Sequence, residues 1–171
     1  MCQNLLTDIV DQRPYIILGI NLRTEANGRF SLQSRKVIFT NGCFDILHRG
    51  HIELLEFCNQ LGEVTVGINS DRSVRKLKGV GRPINNESDR KFLLEACKFV
   101  KRVVVFDEDT PLRLITQLNP DLIVKGGDYD EANVVGKGIA EVAIFPFKPG
   151  YSTTSTVKKL SELKAGIKIE K

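Results

Sequence analysis

From residue 36 onward, short β-rich runs alternate with segments in which apolar residues recur at helical spacing, the pattern of parallel strands joined by crossover helices. Lys36-Val-Ile-Phe-Thr40 predicts a first strand, and Asn41 to Gly50 a turn. Ile52, Leu55 and Cys58 then share one face of a helix from about His51 to Leu61, stopped by Gly62. Val64 to Ile68 predicts the second strand. Asn69 to Pro83 is polar and basic, lacks apolar periodicity and holds two glycines, and reads as a mobile loop over a site. Asn86 with Asp89 three residues on predicts a helix cap. Phe92, Leu93 and Ala96 supply the apolar stripe of a helix ending near Phe99. Strands at Arg102–Phe106 and Asp121–Lys125 flank a helix that begins after Pro111. Val142–Phe147 predicts a last strand, and Ser152–Leu163 a last helix whose opening hydroxyls suit its free amides.

Residues 1 to 35 break this rhythm, although Pro14–Ile20 reads as a strand and Asn27-Gly28 as a turn. At 171 residues and 42% hydrophobic content the chain predicts one α/β domain, residues 36–171, behind an N-terminal extension of unassigned role. No internal repeat or low-complexity tract points to a solenoid. No run approaches the roughly 18 apolar residues of a membrane span. The four cysteines form no Cys-x-x-Cys pair and lie in or beside apolar stretches, which suits a reducing cytoplasm. The net charge of +4 is compatible with a polyphosphate substrate. Nucleic-acid binding has little support, because aromatic and basic residues are not interleaved.

Both histidines of the chain fall in His48-Arg-Gly-His51, where a strand hands over to a helix. Helix-start amides point outward with partial positive charge, so a phosphate can sit there, and Gly50 removes a side chain from its path. Two imidazoles then flank an α-phosphate whose charge grows during nucleotidyl transfer. A capping histidine beside a core histidine is the plainer alternative. A zinc site lacks ligands, since Asp45 makes a poor partner for the pair. Other polar clusters lie at the ends of other strands, where open parallel sheets bind ligands: Asn69-Ser-Asp71, Lys125-Gly-Gly-Asp128 and Gly150-Tyr-Ser-Thr-Thr154. Gly126 and Gly127 permit close backbone approach, Asp128 suits a ribose or sugar hydroxyl or a metal-bound water, and the Ser152-Thr153-Thr154 hydroxyls mark a helix start. Lys76, Lys78, Arg82 and Arg90 surround the basic loop and supply cations for a triphosphate, if they are not simply a solvated basic face.

The segment Thr40-Asn-Gly-Cys-Phe-Asp-Ile-Leu-His-Arg-Gly-His51 resembles the cytidylyltransferase-like nucleotidyltransferases, marked by a Gly-x-Phe-Asp turn followed by His-x-Gly-His. The likeness continues through Val66-Gly-Ile-Asn-Ser-Asp71, Lys78–Pro83, Pro120–Tyr129 and Gly150–Thr154. Within the family the chain looks most like the branch that makes ADP-heptose, a lipopolysaccharide core precursor, from heptose 1-phosphate and ATP. The resemblance implies a Rossmann-like sheet, magnesium carried mainly by the triphosphate, and a homodimer. It implies that His48 and His51 stabilise the α-phosphate, with Lys78 and Arg90 near the phosphates. Thr40, Asn41, Gly42, Cys43 and Phe44 would line the nucleotide, Asp45 would sit beside the phosphates, and Asn69 and Asp71 near the nucleoside. Ser152, Thr153 and Thr154 would cradle the outer phosphates. The glycerol-phosphate branch instead carries Arg-Thr-Glu-Gly-Ile-Ser, where this chain has Phe147-Lys-Pro-Gly-Tyr-Ser152 without that arginine. Two alternatives stay open: a cytidylyltransferase acting on glycerol 3-phosphate or a related head group, and a nucleotide-binding module without turnover.

Overall fold

The computed structural model of the chain describes residues 16–17, 20–24, 30–33, 35–127, 130–146 and 150–166. The chain divides into two compact units, Met1–Arg35 and Lys36–Lys171. In the first, β1 (Ile16–Ile17), β2 (Ile20–Thr24) and β3 (Phe30–Gln33) pair antiparallel in the order β1-β2-β3. The expected strand at 14–20 is thus represented by β1 and the start of β2, and the Asn27-Gly28 turn lies outside the described residues.

The second unit is built on a five-stranded parallel sheet: β4 (Val37–Gly42), β5 (Glu63–Asn69), β6 (Arg102–Phe106), β7 (Leu122–Gly126) and β8 (Glu141–Phe145). The spatial order is β6-β5-β4-β7-β8. Helices α1 (Arg49–Leu61), α2 (Asp71–Lys78), α3 (Glu87–Glu95), α4 (Leu112–Leu118) and α5 (Thr153–Gly166) complete the unit. Strand alternation sorts the apolar side chains onto two faces. Ile38, Val64, Val66, Ile68 and Val124 pack with Leu54, Leu55 and Cys58 of α1 and Leu94 of α3. Phe39 and Ile123 point the other way, against Leu114 and Ile115 of α4. This is the Rossmann-like parallel sheet with helices on both faces that the alternating pattern and the resemblance implied. Chain progression runs outward from β4 in both directions, so the carboxyl ends of β4 and β7 flank a topological switch point, where open parallel sheets form their ligand crevice.

Two expectations are corrected. Most of the stretch from Asn69 to Pro83 is not a loop, because Asp71–Lys78 is helix α2. The Ser70 hydroxyl accepts the Ser73 amide, Asp71 stands in the first turn, and Arg75, Lys76 and Lys78 stand in the last, each favourable to the helix dipole. Only Ser73 and Val74 are buried, so no apolar period announces the helix. In α3, Asn86 caps as expected, its Oδ1 accepting the Asp89 amide at 2.9 Å. The buried face, however, is Arg90 and Leu94, while Phe92 and Leu93 are exposed. That helix ends at Glu95 and passes through turns bonded from Cys97 to Leu94 and from Val100 to Cys97, short of the expected Phe99. The β8 strand ends at Phe145; Phe147 lies outside the described residues.

Candidate active site

At the end of β4 the backbone is held in a costly shape. Phe44 has φ of 47°, the left-handed region that non-glycine residues avoid at a cost of roughly 1–3 kcal/mol. Its ring compensates by burial and by packing 4.8 Å from the His51 ring. Glycine at position 42 leaves room for that ring, since a Cβ there would come 3.3 Å from Phe44 Cε2.

Four residues later His48 caps α1: its Nδ1 accepts the backbone amide of His51 at 3.4 Å. A ring nitrogen that accepts carries no proton, so the proton of the neutral imidazole resides on Nε2. The rings of His48 and His51 stack, with centroids 3.7 Å apart and planes 16° from parallel. Gly50 makes this stack possible. A Cβ at position 50 would meet His48 Nδ1 at 3.3 Å and Tyr151 Cβ at 3.4 Å. A side chain at position 50 would therefore crowd both His48 and the start of α5, and the glycine itself lines the cavity.

Burial, and secondarily the neighbouring His48, pushes the His51 pKa down to about 3, and burial lowers that of His48. Both rings are neutral at pH 7. His51 Nδ1 is buried and has no hydrogen-bond partner among the described residues. Unpaired buried polar atoms are few in folded proteins, and this one sits in a ring that lines a cavity. The pH dependence has a definite sign. The unfolded chain takes up the His51 proton near the ordinary value of 6.5 and the folded chain only near 3, so stability is full above about 6.5 and falls as pH drops toward 3. With only two histidines in the chain, a ring NMR titration is unambiguous. One ring is expected to show no inflection between pH 5 and 8, and the other to titrate below 6.5. Two ordinary curves near 6.5 would contradict the burial described here.

The cavity has a volume of about 580 Å3, inside the roughly 300–1,000 Å3 usual for small-molecule sites. It opens at the switch point between β4 and β7. One wall is the turn Asn41–Asp45 with the two histidines, and another is Lys125, Gly126 and Gly127 at the end of β7. The start of α5 closes the side facing α1 through Tyr151, Ser152, Thr153 and Thr154. Ser152 caps α5: its hydroxyl accepts the Ser155 amide at 3.0 Å, while the Ser155 hydroxyl accepts the Ser152 amide at 3.2 Å. Two helix N-termini thus face one space, a favourable arrangement for anions. Three cations border it. Lys125 Nζ donates to Asn41 Oδ1 at 2.8 Å, and burial lowers its pKa. Lys78 is exposed at the end of α2, and Arg82 is mostly buried against Asp45. Leu54, Phe145 and Pro146 add an apolar surface.

The cytidylyltransferase-like family model matches residues 39–154, from β4 to the start of α5, and so contains both helix N-termini of the cavity. The chain belongs to the cytidylyltransferase-like family. The bifunctional protein HldE of Campylobacter concisus is 52% identical over 132 residues, covering 76% of this chain and 28% of that protein. HldE of Helicobacter pylori is 48% identical over 132 residues, covering 76% of this chain and 29% of its own length. The chain therefore spans less than a third of the curated relatives it matches. Among solved structures, the lipopolysaccharide core biosynthesis protein of Thermoplasma volcanium is 30% identical with a TM-score of 0.58, covering 67% of this chain and 98% of that one.

Within this cytidylyltransferase-like site, the structure brings together Asn41, Gly42, Cys43, Phe44, Asp45, His48, Gly50, His51, Lys78, Arg82, Lys125, Gly126, Gly127, Ser152, Thr153 and Thr154. Four expected residues stand elsewhere. Thr40 is wholly buried in β4, its hydroxyl without a partner among the described residues. Asn69 is buried, its amide donating to Ser73 Oγ at 3.0 Å. Asp71 lies on another depression and accepts from Arg90 at 2.8 Å. The largest correction is Arg90, expected near the phosphates. Its side chain is fully buried beneath the cavity, where Nε donates to Asn85 O, Nη1 to Cys43 O, and Nη2 to Asn69 O and Asp71 Oδ1. Asp128 lies outside the described residues. Leu54, Phe145 and Pro146 escaped the sequence reading, because apolar residues within or just beyond a strand or helix carry no mark that separates a cavity wall from core.

Proposed function

We propose that this chain transfers AMP from ATP to a sugar 1-phosphate, with heptose 1-phosphate giving ADP-heptose as the favoured pair, and releases pyrophosphate. The observation that carries this reading is the stacked, neutral His48–His51 pair at the start of α1, facing the Ser152-capped start of α5 across a cavity bordered by Lys78, Arg82 and Lys125. Similarity to two HldE proteins, and to a structure described as a lipopolysaccharide core biosynthesis protein, supports the sugar nucleotide over other acceptors.

The reaction asks little covalent chemistry of the protein. An ionised oxygen of the sugar 1-phosphate attacks the α-phosphorus of ATP in line, the new P–O bond forms, and the bond to the bridging oxygen breaks. The electron pair leaves with pyrophosphate. The acceptor phosphate is largely ionised at neutral pH, so no protein group need take its proton. What the site supplies is position and charge: His48 Nε2–H and the His51 ring donate to the oxygens on which charge accumulates, and the cations border the outer phosphates. Magnesium would arrive with the nucleotide, held mainly by the triphosphate. Among the described residues no group of three or more His, Cys, Asp or Glu converges on a metal position, and the Asp45 carboxylate is engaged by protein. No helix among the described residues is long and apolar enough to cross a membrane. A cytoplasmic homodimer is the working arrangement, open to sedimentation analysis.

Pyrophosphate release measured with ATP and with CTP, each against heptose 1-phosphate and glycerol 3-phosphate, tests the reading. ATP with heptose 1-phosphate is expected to exceed every other combination by at least tenfold. Preference for CTP with glycerol 3-phosphate would replace it with the cytidylyltransferase alternative. ATP binding without release for any acceptor would leave a nucleotide-binding module.

A further inference from the structure

We propose that Asp45 is a positioning residue: it latches the segment Arg82–Asn85 to the histidine turn and so sets the Arg82 cation at the edge of the phosphate cavity. The role in phosphate binding rests on the nucleotidyl-transfer reading above; the latch itself does not. The Asp45 side chain is 1% exposed, and its polar atoms are directed at one segment. Oδ1 accepts the backbone amides of Ile84 at 2.7 Å and Asn85 at 3.0 Å. The Asp45 carbonyl accepts Asn85 Nδ2 at 2.7 Å, and Oδ2 lies 2.6 Å from Arg82 Nε. A carboxylate at a family motif position invites assignment as a metal ligand. Here two backbone donors occupy Oδ1, and Oδ2 stands against the Arg82 guanidinium as an ion pair, although neither Oδ2 nor Arg82 Nε is aligned for a hydrogen bond among the described residues.

The segment needs such a fixture. Between the end of α2 and Arg82 the chain runs Gly79-Val80-Gly81, where both glycines have positive φ and a Cβ on either would touch nothing. Val80 is fully exposed. No packing on this stretch fixes where Arg82 goes. Asp45 is three residues before His48, so the turn that presents the imidazoles also holds the loop. Arg82 meets Asp45 through Nε, and the terminal nitrogens of its planar fork remain the part suited to bidentate phosphate contact. Lys78 enters the same cavity from the other side of the glycine pair.

The test combines an exchange measurement with a mutant cycle. In the unmodified protein, hydrogen exchange is expected to protect the Ile84 and Asn85 amides at least tenfold more than those of Val80 and Gly81. Equal exchange would overturn the latch, whatever the enzyme does. Asp45→Asn keeps an oxygen for the two amides and removes the charge that holds Arg82. It is expected to raise KM for the nucleotide about tenfold, with kcat changed less than threefold and the magnesium concentration for half-activity unmoved. In an Arg82→Ala background the same substitution is expected to add less than twofold. Independent, multiplying effects, or a large shift in magnesium requirement, would show that Asp45 acts on the substrate or metal directly. Asp45→Glu, which restores charge at a different reach, is expected to recover part of the lost affinity; no recovery counts against the pairing with Arg82.

Discussion

His51→Ala is expected to lower kcat on the order of 100-fold or more, about 2.7 kcal/mol at the transition state, while nucleotide affinity changes by only a few fold. The asymmetry follows from where the ring sits. It is half-buried, neutral and stacked on His48, so in the proposed reaction its contact with a resting triphosphate would be no more than a neutral hydrogen bond. As the α-phosphate passes through its crowded five-coordinate state, charge grows on the oxygens beside the rings and the same donor becomes worth more. A residue that binds ground and transition states alike would alter KM instead. Pyrophosphate release gives kcat, and calorimetric titration with ATP gives affinity. Equal losses in the two would end the assignment. His48 needs a second control because it also caps α1. His48→Ala removes the cap, at about 1 kcal/mol of stability, together with the Nε2 donor. His48→Asn supplies a good cap without an imidazole at that reach, so it is expected to restore the melting temperature and leave turnover low. Recovery of turnover by asparagine would mean that the histidine matters as a helix start.

Much of this site is legible in the sequence, for reasons that are local. A glycine-containing turn between a strand and a helix, with both histidines in it, concentrates polar chemistry where a parallel sheet opens, and Lys125-Gly126-Gly127 and Ser152–Thr154 follow the same rule at other strand ends. The α2 helix was not readable. Its stability comes from a serine cap and from charges that suit its dipole, which leave no periodic apolar signal. In α3 the apolar residues misled, since Phe92 and Leu93 face outward while a charged residue, Arg90, holds the buried position. Pattern reading assigns arginine to solvent because an unpaired buried charge is prohibitively costly. Only the fold reveals that three carbonyls and a carboxylate wait at that point. Asp45 and Gly50 line the cavity, as their motif positions imply, but their protein contacts are not legible in the sequence. The partners of Asp45 lie about forty residues away in sequence, and Gly50 accommodates a side chain 101 residues distant.

Arg90→Ala is expected to be the most destabilising single substitution at the site, by about 3 kcal/mol or more, a large share of the 5–15 kcal/mol typical of a domain. The guanidinium joins three backbone segments: the β4 turn through Cys43 O at 2.6 Å, the end of β5 through Asn69 O at 2.8 Å, and the approach to α3 through Asn85 O at 3.0 Å. Removing it strands those carbonyls in a buried place, and a buried acceptor without a partner costs about 1–3 kcal/mol. The ion pair with Asp71 adds less, because that carboxylate is partly open to water and screened. For a unit of this size, the loss corresponds to a fall in melting temperature of roughly 10 °C. Arg90→Lys keeps the charge, yet a single ammonium cannot reproduce the fork, so it is expected to recover less than half of the deficit. Thermal unfolding of the three proteins decides between a buried brace and a phosphate ligand. A brace lowers the melting temperature of both variants in the absence of nucleotide. A ligand leaves it unchanged and raises KM alone, and that second outcome would return Arg90 to the cavity.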